Sequence, residues 1–168
     1  MVPSRHPLVG SKEDVMVKPI PEGLHSITPN LAVDGAAEAI EFYKRAFGAE
    51  ELMRAPDPTG KKVWHANLRV GDSCFFVNDV SPEMGNKPSV CSLWVYAPNV
   101  DAAFERATKA GAKAAMPPQD MFWGDRMGAV IDRWGITWNL ATHVKDLTPD
   151  QLKKAQDAAV AEIAKQKK

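Results

Sequence analysis

The stretch Ala39-Ile-Glu-Phe-Tyr-Lys-Arg-Ala-Phe-Gly48 predicts a helix that ends at a glycine, and Ala103-Phe-Glu-Arg-Ala-Thr-Lys-Ala-Gly111 repeats it in a shorter form. Each predicted helix follows an extended run and precedes a strand and then a hairpin. The extended runs are Leu24–Val33 and Val90–Ala97, and the hairpin turns fall near Gly71-Asp72 and Trp134-Gly135. A unit that recurs in the same order is a supersecondary repeat.

The repeat predicts an α+β fold made of duplicated βαβββ modules. The modules are expected to form a curved mixed sheet around a groove, with the helices on the outer face and a further helix at the C-terminus. The predicted segments are an N-terminal arm (1–22), a first module (23–80), a linker (81–88), a second module (89–143) and a C-terminal helix (144–168). A groove of this kind is a typical place for a small ligand.

Polar residues mark where the predicted helices begin. Asp34 and Asn99 are the predicted N-caps of the two repeated helices. The sequence Thr148-Pro149-Asp150-Gln151 has the features of a capping box and predicts the start of the last helix. That helix carries an apolar stripe at helical spacing, formed by Leu152, Ala155, Ala159 and Ile163. We expect the stripe to pack against its own chain or against a second subunit.

Composition narrows the class of protein. The chain has 168 residues, with 21 basic and 21 acidic side chains, so its formal net charge is zero. This balance argues against a nucleic-acid partner. Cys74 and Cys91 are not in a CxxC spacing and are expected to be buried thiols. The N-terminal residues contain no long apolar segment, so we expect neither a signal peptide nor a membrane partner, and we predict a cytoplasmic location.

Strand alternation separates a packed face from a groove face. In the last strand, Trp138 and Leu140 are predicted to pack, whereas Asn139 faces the groove. The same parity predicts these further packed residues: Ile27, Leu31, Val33, Trp64, Ala66, Leu68, Val70, Leu93 and Val95. It predicts these groove residues: Thr28, His65, Asn67, Arg69, Ser92, Trp94 and Tyr96. Strand 73–79 is apolar on both sides, and parity does not assign its faces. Trp123 and Trp134 are predicted to lie at the groove as well.

Two segments carry a resemblance to a known family. They are Trp123-Gly-Asp-Arg-Met-Gly128 and Asp132-Arg-Trp-Gly-Ile-Thr-Trp-Asn-Leu-Ala-Thr-His143. With the two helices and the hairpin His65-Ala-Asn-Leu-Arg-Val-Gly-Asp-Ser73, they resemble the vicinal oxygen chelate superfamily, in its PhnB-like branch of the glyoxalase/bleomycin-resistance group. The resemblance implies the fold of this superfamily. It does not imply one function, because the superfamily contains lyases, epimerases, dioxygenases and drug-sequestering proteins.

The resemblance also allows a test for a metal site. Metal-dependent members place a His or Glu at one position on the first, fourth, fifth and eighth strands. The matching positions here are Thr28, Phe76, Ser92 and Asn139. Two hydroxyls, a phenyl ring and an amide do not supply the imidazole, carboxylate or thiolate donors that a transition metal requires. We therefore expect no metal and no other cofactor.

Few other residues suggest chemistry. His65 faces the groove and is a candidate general base or ligand contact, with a structural role as the alternative. His25 and His143 are expected to be exposed. Asp79, Asp125 and Asp132 border predicted turns, where an aspartate commonly bonds to the local backbone.

Three functional interpretations follow. The first is a homodimer that binds or sequesters a small drug-like or secondary metabolite without a metal. Its ligand-binding residues would be Thr28, Asn67, Phe76, Ser92, Trp94, Tyr96, Trp123 and Asn139. The alternative is a lyase or isomerase of the same superfamily that uses His65 or a non-standard metal set. The third is a protein without a small ligand that uses its sheet face for assembly.

Overall fold

The computed structural model of the chain describes residues 18–166 and contains two βαβββ units and a C-terminal helix. The strands are β1 (Asn30–Val33), β2 (Glu50–Pro56), β3 (Val63–Val70), β4 (Ser73–Asp79), β5 (Ser92–Tyr96), β6 (Lys113–Asp120), β7 (Asp125–Ile131) and β8 (Thr137–His143). The helices are α1 (Ala36–Phe47), α2 (Val100–Lys109) and α3 (Pro149–Gln166), and a 3-10 turn spans Pro82–Met84. The predicted fold class is confirmed. Most of the predicted N-terminal arm, residues 1–17, lies outside the described residues.

Each unit forms its own four-stranded mixed sheet. The strand order is β1-β4-β3-β2 in the first sheet and β5-β8-β7-β6 in the second. In both sheets the helix carries the chain from the first strand of the unit to the second strand, at the opposite edge. Two antiparallel steps then bring the last strand back to the first, with which it pairs in parallel. The predicted turns near Gly71-Asp72 and Trp134-Gly135 connect β3 to β4 and β7 to β8. The sequence repeat is therefore also a repeat of topology.

A single core lies between the two sheets. Helix α1 packs on the first sheet, α2 packs on the second, and the two helices contact each other. The ring of Trp138 in β8 lies 4.2 Å from that of Phe47 in α1 and 5.9 Å from that of Phe75 in β4, measured between centroids. Because the helix-covered faces of both sheets meet in this core, their other faces look in opposite directions. We call these other faces the open faces.

The predicted alternation holds in most strands. Trp138 and Leu140 are buried, and so are Ala66 and Leu68 of β3. In β4, which sequence parity did not assign, Phe75 and Val77 belong to the core, so their neighbours Phe76 and Asn78 lie on the open face. The two cysteines are free thiols, one buried and one half-buried.

Trp64 departs from the alternation. Its side chain is 50% exposed, whereas the preceding Val63 is buried. In the pairing of β2 with β3, Ala55 lies opposite His65 but the next residue, Pro56, lies opposite Val63. Trp64 is therefore the extra residue of a β-bulge, and an extra residue reverses the alternation on one side of it. The prediction that Trp64 packs in the core is wrong for this reason.

The first strand is shorter than predicted. It begins at Asn30, and Ile27, predicted to pack, is 86% exposed. Thr28 lies in the preceding loop, where its hydroxyl donates a hydrogen bond to the carbonyl of His25. Pro29 has no backbone N–H to donate to a β ladder, which helps to end the strand at this point.

The two repeated helices begin in different ways. Asn99 caps α2 as predicted, and its side chain accepts the N–H of Ala102. The prediction of Asp34 as the cap of α1 is wrong, because Gly35 occupies that position with a φ of 80° and has no side-chain cap. The carboxylate of Asp79 in β4 instead accepts the first two N–H groups at this helix end.

The segment between β8 and α3 crosses the turn before β7. The carbonyl of Gly124 accepts the N–H groups of Val144 and Lys145. Gly124 has a φ of 100°, and a Cβ at this position would lie 2.1 Å from the carbonyl oxygen of Lys145. The predicted capping box then starts α3, with Thr148 and Gln151 each accepting a hydrogen bond from the backbone of the other.

Helix α3 extends away from the sheets. Leu152 is 37% exposed and Ile163 is 55% exposed, and α3 makes no extensive contact with another element of residues 18–166. Of the two predicted ways to cover its stripe, packing on its own chain does not occur in this part of the molecule. None of the described helices combines the length and the apolarity needed to span a bilayer.

Candidate functional site

The open face of the second sheet exposes two aromatic rings. Trp94 and Tyr96 of β5 are 45% and 62% exposed, and their ring centroids are 6.3 Å apart. They project here because they alternate along β5 with Leu93 and Val95, which pack against the core. Two adjacent rings provide apolar contact area and π faces for a flat ligand.

A buried carboxylate lies beside these rings. Asp125, at the start of β7, is only 3% exposed. Its Oδ2 accepts hydrogen bonds from the hydroxyl of Tyr96 and from Nε1 of Trp123, both at 3.0 Å. Its Oδ1 lies 2.7 Å from Nδ1 of His143, the residue directly opposite in the β7–β8 ladder. Three side chains from different segments thus converge on one carboxylate.

His143 connects this carboxylate to a second one. Its Nε2 lies 3.0 Å from Oδ1 of Asp146, in the segment that leads to α3. The histidine side chain is half-exposed, whereas Asp146 is fully exposed. The imidazole therefore stands between a buried carboxylate and a solvated one.

The hydrogen bonds set the charge states of the cluster. Burial by itself raises the pKa of Asp125, but the bonds from His143, Tyr96 and Trp123 outweigh burial and hold the pKa below its ordinary value. The bond to Asp125, followed by that to Asp146, raises the pKa of the His143 imidazole. The bond to Asp125 also raises the pKa of the Tyr96 hydroxyl. Asp125 is therefore an anion near neutral pH, and His143 is biased toward its cationic form.

The open face of the first sheet borders a cavity of about 790 Å³. Its lining includes Trp64, His65, Asn78 and Met84. The imidazole of His65 packs against Phe76, with 4.6 Å between ring centroids. In contrast to His143, His65 forms no side-chain hydrogen bond with any residue from 18 to 166, so no carboxylate orients it.

Asn67 shares the open face of the first sheet with Phe76, its cross-strand partner. The side-chain carbonyl oxygen of Asn67 is buried and has no hydrogen-bond partner in the described part of the chain. Buried polar atoms in proteins are normally paired. This oxygen is therefore available to a donor from outside residues 18–166.

The four positions that would match the family metal ligands do not form a metal site. Thr28 lies in a loop, Phe76 offers no donor atom, and Ser92 accepts a hydrogen bond of 2.6 Å from the amide of Asn139. Across residues 18–166, no three His, Cys, Asp or Glu side chains are grouped closely enough to hold a metal ion. This donor set does not fit a transition metal.

Thr28 lies in the loop before β1, and the other predicted site residues divide into two groups. Those on the open face of the second sheet are Ser92, Trp94, Tyr96 and Asn139, with Trp123 joined to them through Asp125. Those on the open face of the first sheet are His65, Asn67 and Phe76. Because the open faces look in opposite directions, a single chain does not bring the two groups into one groove. Trp134 belongs to neither group, since it packs near Phe42 and donates to the carbonyl of Asp34 on the helix side.

Sequence reasoning missed the roles of Asp125 and His143. Asp125 was expected to bond to the local backbone, but within residues 18–166 its carboxylate forms hydrogen bonds only with side chains. The missing signal is the register of the hairpin. Counting outward from the turn at Trp134-Gly135 pairs Ile131 with Thr137 and, six residues further on each side, Asp125 with His143.

Comparison with known proteins agrees with this architecture. The profile of the Glyoxalase/Bleomycin resistance protein/Dioxygenase superfamily matches residues 23–140. An uncharacterized protein of Mycobacterium bovis is 38% identical over 144 residues, which cover 79% of this chain and 93% of that protein. The chain therefore belongs to this superfamily, also called the vicinal oxygen chelate superfamily.

Solved structures show the same fold. TioX from Micromonospora sp. ML1 is 29% identical, with a TM-score of 0.60 over 70% of this chain and 98% of that one. A glyoxalase/bleomycin resistance protein/dioxygenase family enzyme from Burkholderia phytofirmans has a TM-score of 0.57 over 68% of this chain and 95% of that one. At 17% identity, the second likeness concerns the fold alone.

Proposed function

We propose that this protein is a homodimer that binds or sequesters a small drug-like or secondary metabolite without a metal ion, and that it belongs to the PhnB-like branch of its superfamily. The observation that carries the proposal is the pair of exposed rings, Trp94 and Tyr96, on the open face of the second sheet. Exposed aromatic side chains beside polar groups suit a flat, partly apolar ligand. Ser92 and Asn139 supply polar contacts on the same face.

The arrangement of the sheets supports the proposed dimer. Residues 18–166 of one chain leave both open faces uncovered, so they enclose no ligand between them. A second copy can place the open face of its first sheet over the open face of the second sheet, and a two-fold axis repeats the contact. Such a pair would form two grooves, each combining Asn67 and Phe76 of one protomer with Trp94 and Tyr96 of the other. The uncovered stripe of α3 adds apolar surface for the same assembly.

A screen of small molecules by thermal shift tests the binding function. We expect at least one class of flat ligand to stabilise the wild-type protein, and Trp94→Ala to abolish the shift because a main contact ring is lost. The control is Val90→Ala, which removes an exposed apolar side chain of the same unit from outside the sheet. Ligands that stabilise Trp94→Ala as well as the wild type would contradict the proposed site.

Elemental analysis tests the metal-independent part of the proposal. Protein purified without chelator is expected to contain no stoichiometric Zn, Ni, Fe or Mn, because Thr28, Phe76, Ser92 and Asn139 lack strong donors. One equivalent of such a metal, whose removal abolishes binding or activity, would favour an enzyme instead.

A second candidate function is a lyase or isomerase that uses His65. The supporting observation is that His65 borders the cavity of about 790 Å³. His65→Asn separates the two functions, since asparagine retains hydrogen-bonding capacity but does not act as a base near neutral pH. The substitution spares binding if the protein only captures its ligand, and it stops turnover if His65 is the base.

A further inference from the structure

His143 forms contacts that require a particular protonation state. Its Nδ1 is 2.7 Å from Asp125 and its Nε2 is 3.0 Å from Asp146. An ionised carboxylate only accepts hydrogen bonds, and a neutral imidazole has a single N–H to donate. Both contacts are hydrogen bonds at once only when the imidazole carries two protons. With both carboxylates ionised, the two distances therefore fit an imidazolium.

The two carboxylates differ in how firmly they are held. Asp125 is buried and also accepts hydrogen bonds from Tyr96 and Trp123. Asp146 is fully exposed, and within residues 18–166 its carboxylate bonds only to His143. Asp125 therefore fixes the orientation of the ring, whereas Asp146 occupies Nε2 as a solvated group that another acceptor can replace.

The replaceable contact is next to the aromatic rings. Tyr96 and His143 bond to the same carboxylate, so the hydroxyl of one and the imidazole of the other lie side by side. Trp94 follows Tyr96 on the same face. The Nε2–H of His143 thus lies at one end of a row of rings on the open face of the second sheet.

We propose that this N–H anchors the carboxylate of a planar aromatic acid, and that Asp146 fills the anchor when no ligand is bound. The inference rests on the proposed binding function and names the ligand class for the same face. The aromatic part of the ligand lies on Trp94 and Tyr96, and its carboxylate takes the place of the Asp146 carboxylate. A charge-assisted bond of this kind is stronger than a neutral one.

The hydrogen-bonding capacity of His143, rather than the net charge around it, favours an acceptor such as a carboxylate over a cationic group. The titratable groups that contact the ring or its buried partner are Asp125 from β7, Tyr96 from β5 and Asp146 from the segment after β8. Lys145 precedes Asp146 in that segment. The buried carboxylate of Asp125 balances the charge of the imidazolium. The solvent-exposed side of the ring presents an N–H, and a cationic ligand group has no acceptor for this N–H.

Calorimetric titration with 2-naphthoate and its neutral counterpart 2-naphthamide tests the anchor. At about pH 6 the wild-type protein is expected to bind the acid about tenfold more tightly than the amide, since a charge-assisted bond is lost in the amide. Asp146→Asn removes the internal competitor, so the acid should bind more tightly by about threefold or more while the amide is unaffected. Asp150→Asn, an equal change of charge nearby, is the control and should change neither affinity.

Two further measurements exclude a general effect of charge. His143→Gln should bind acid and amide equally, because glutamine offers no cationic donor. In the wild-type protein, the affinity for the acid should fall between about pH 6 and about pH 9 as the imidazole loses its proton, whereas the affinity for the amide should not change.

Several results would overturn the anchor. If acid and amide bind equally, and Trp94→Ala abolishes both, the proposed binding function stands and the anchor is wrong. If Asp146→Asn does not strengthen binding of the acid, Asp146 is not a competitor. If neither probe binds even to Asp146→Asn, the ligand class is wrong, and the thermal-shift screen decides separately whether the protein binds small molecules.

Discussion

A buried aspartate lies at each end of strand β7. The two carboxylates have nearly the same aromatic partners. Asp132, just after the strand, accepts hydrogen bonds from the hydroxyl of Tyr43 and from Nε1 of Trp138. Asp125, at its start, accepts the same two kinds of donor from Tyr96 and Trp123. One carboxylate belongs to the interior between the sheets, and the other belongs to an open face.

The remaining partners make the difference. Asp132 also accepts the backbone N–H groups of Trp134 and Ile136, which close the hairpin turn. Asp125 instead bonds to His143, a half-exposed and titratable side chain. A backbone N–H does not titrate, whereas a histidine makes the bond depend on its own protonation. The comparison indicates that Asp132 serves the fold, and it supports the proposal that the group around Asp125 is a binding site.

The largest expected effect concerns the rings on the two sides of the second sheet. Trp138→Ala should lower the free energy of unfolding by about 3–5 kcal/mol, because the ring is 1% exposed and its loss leaves a cavity. Trp94→Ala should lower it by much less, because that ring is 45% exposed. Urea unfolding followed by circular dichroism measures both. If Trp94→Ala unfolds the protein and Trp138→Ala is harmless, the faces have been assigned the wrong way round.

The two aspartates give the next effect. Asp132→Ala should lower the free energy of unfolding by about 3 kcal/mol or more, because a buried hydroxyl, an indole N–H and two backbone N–H groups lose their acceptor. Asp125→Ala should lower it by about 1–3 kcal/mol, since its donors lie closer to solvent. The same urea series measures both variants. Equal losses of unfolding free energy in the two variants would mean that Asp125 is as structural as Asp132.

Removing α3 should weaken the proposed dimer more than it weakens the fold. Deleting residues 148–168 removes the uncovered stripe but no part of the core between the sheets. We expect the shortened chain to show a weaker dimer by light scattering and to retain its secondary structure. A shortened chain that is as dimeric and as stable as the full chain would show that α3 has no part in the assembly.

The smallest effect is a dependence on pH. The pKa of His143 is raised in the folded protein, so its bonds stabilise fully below the ordinary histidine pKa, and this contribution is lost as the pH rises through the folded pKa. The pKa of Asp125 is lowered, so its contribution is present above the ordinary aspartate value and is lost only in strong acid. The stability difference between the wild type and His143→Gln should therefore shrink as the pH is raised from weakly acidic to alkaline values. Urea midpoints across that range measure it, and a constant difference would exclude the imidazolium.

Much of the fold could be predicted because local signals and tertiary structure agree. Helix stops such as Gly48 and the alternation around Trp138 read correctly from the sequence, since both depend on residues close along the chain. Trp64 could not be placed in this way, because a bulge depends on the register with the neighbouring strand β2. The start of α1 was misread for a similar reason, since its cap comes from Asp79, on a different strand.

The candidate site was predicted in part. Trp94 and Tyr96 were assigned to the ligand face by parity alone, and they do lie on an open face. The carboxylate that joins Tyr96 to Trp123 and His143 was missed, because each of these bonds crosses between segments that the sequence does not show as neighbours. The open faces point in opposite directions because of the way the two units pack together. No single strand or helix specifies this packing.

Gly124 is a position at which a mutation can change the orientation of α3 without changing the core. Any side chain there would collide with the Lys145 carbonyl, whereas the core between the sheets lies elsewhere. A substitution at this position therefore redirects the path from the last strand to α3 without removing a core residue. Variants with a side chain at position 124 would lose the correct orientation of the C-terminal helix before they lost the fold. Position 124 should consequently tolerate only glycine, while the exposed positions of α3 should tolerate substitution.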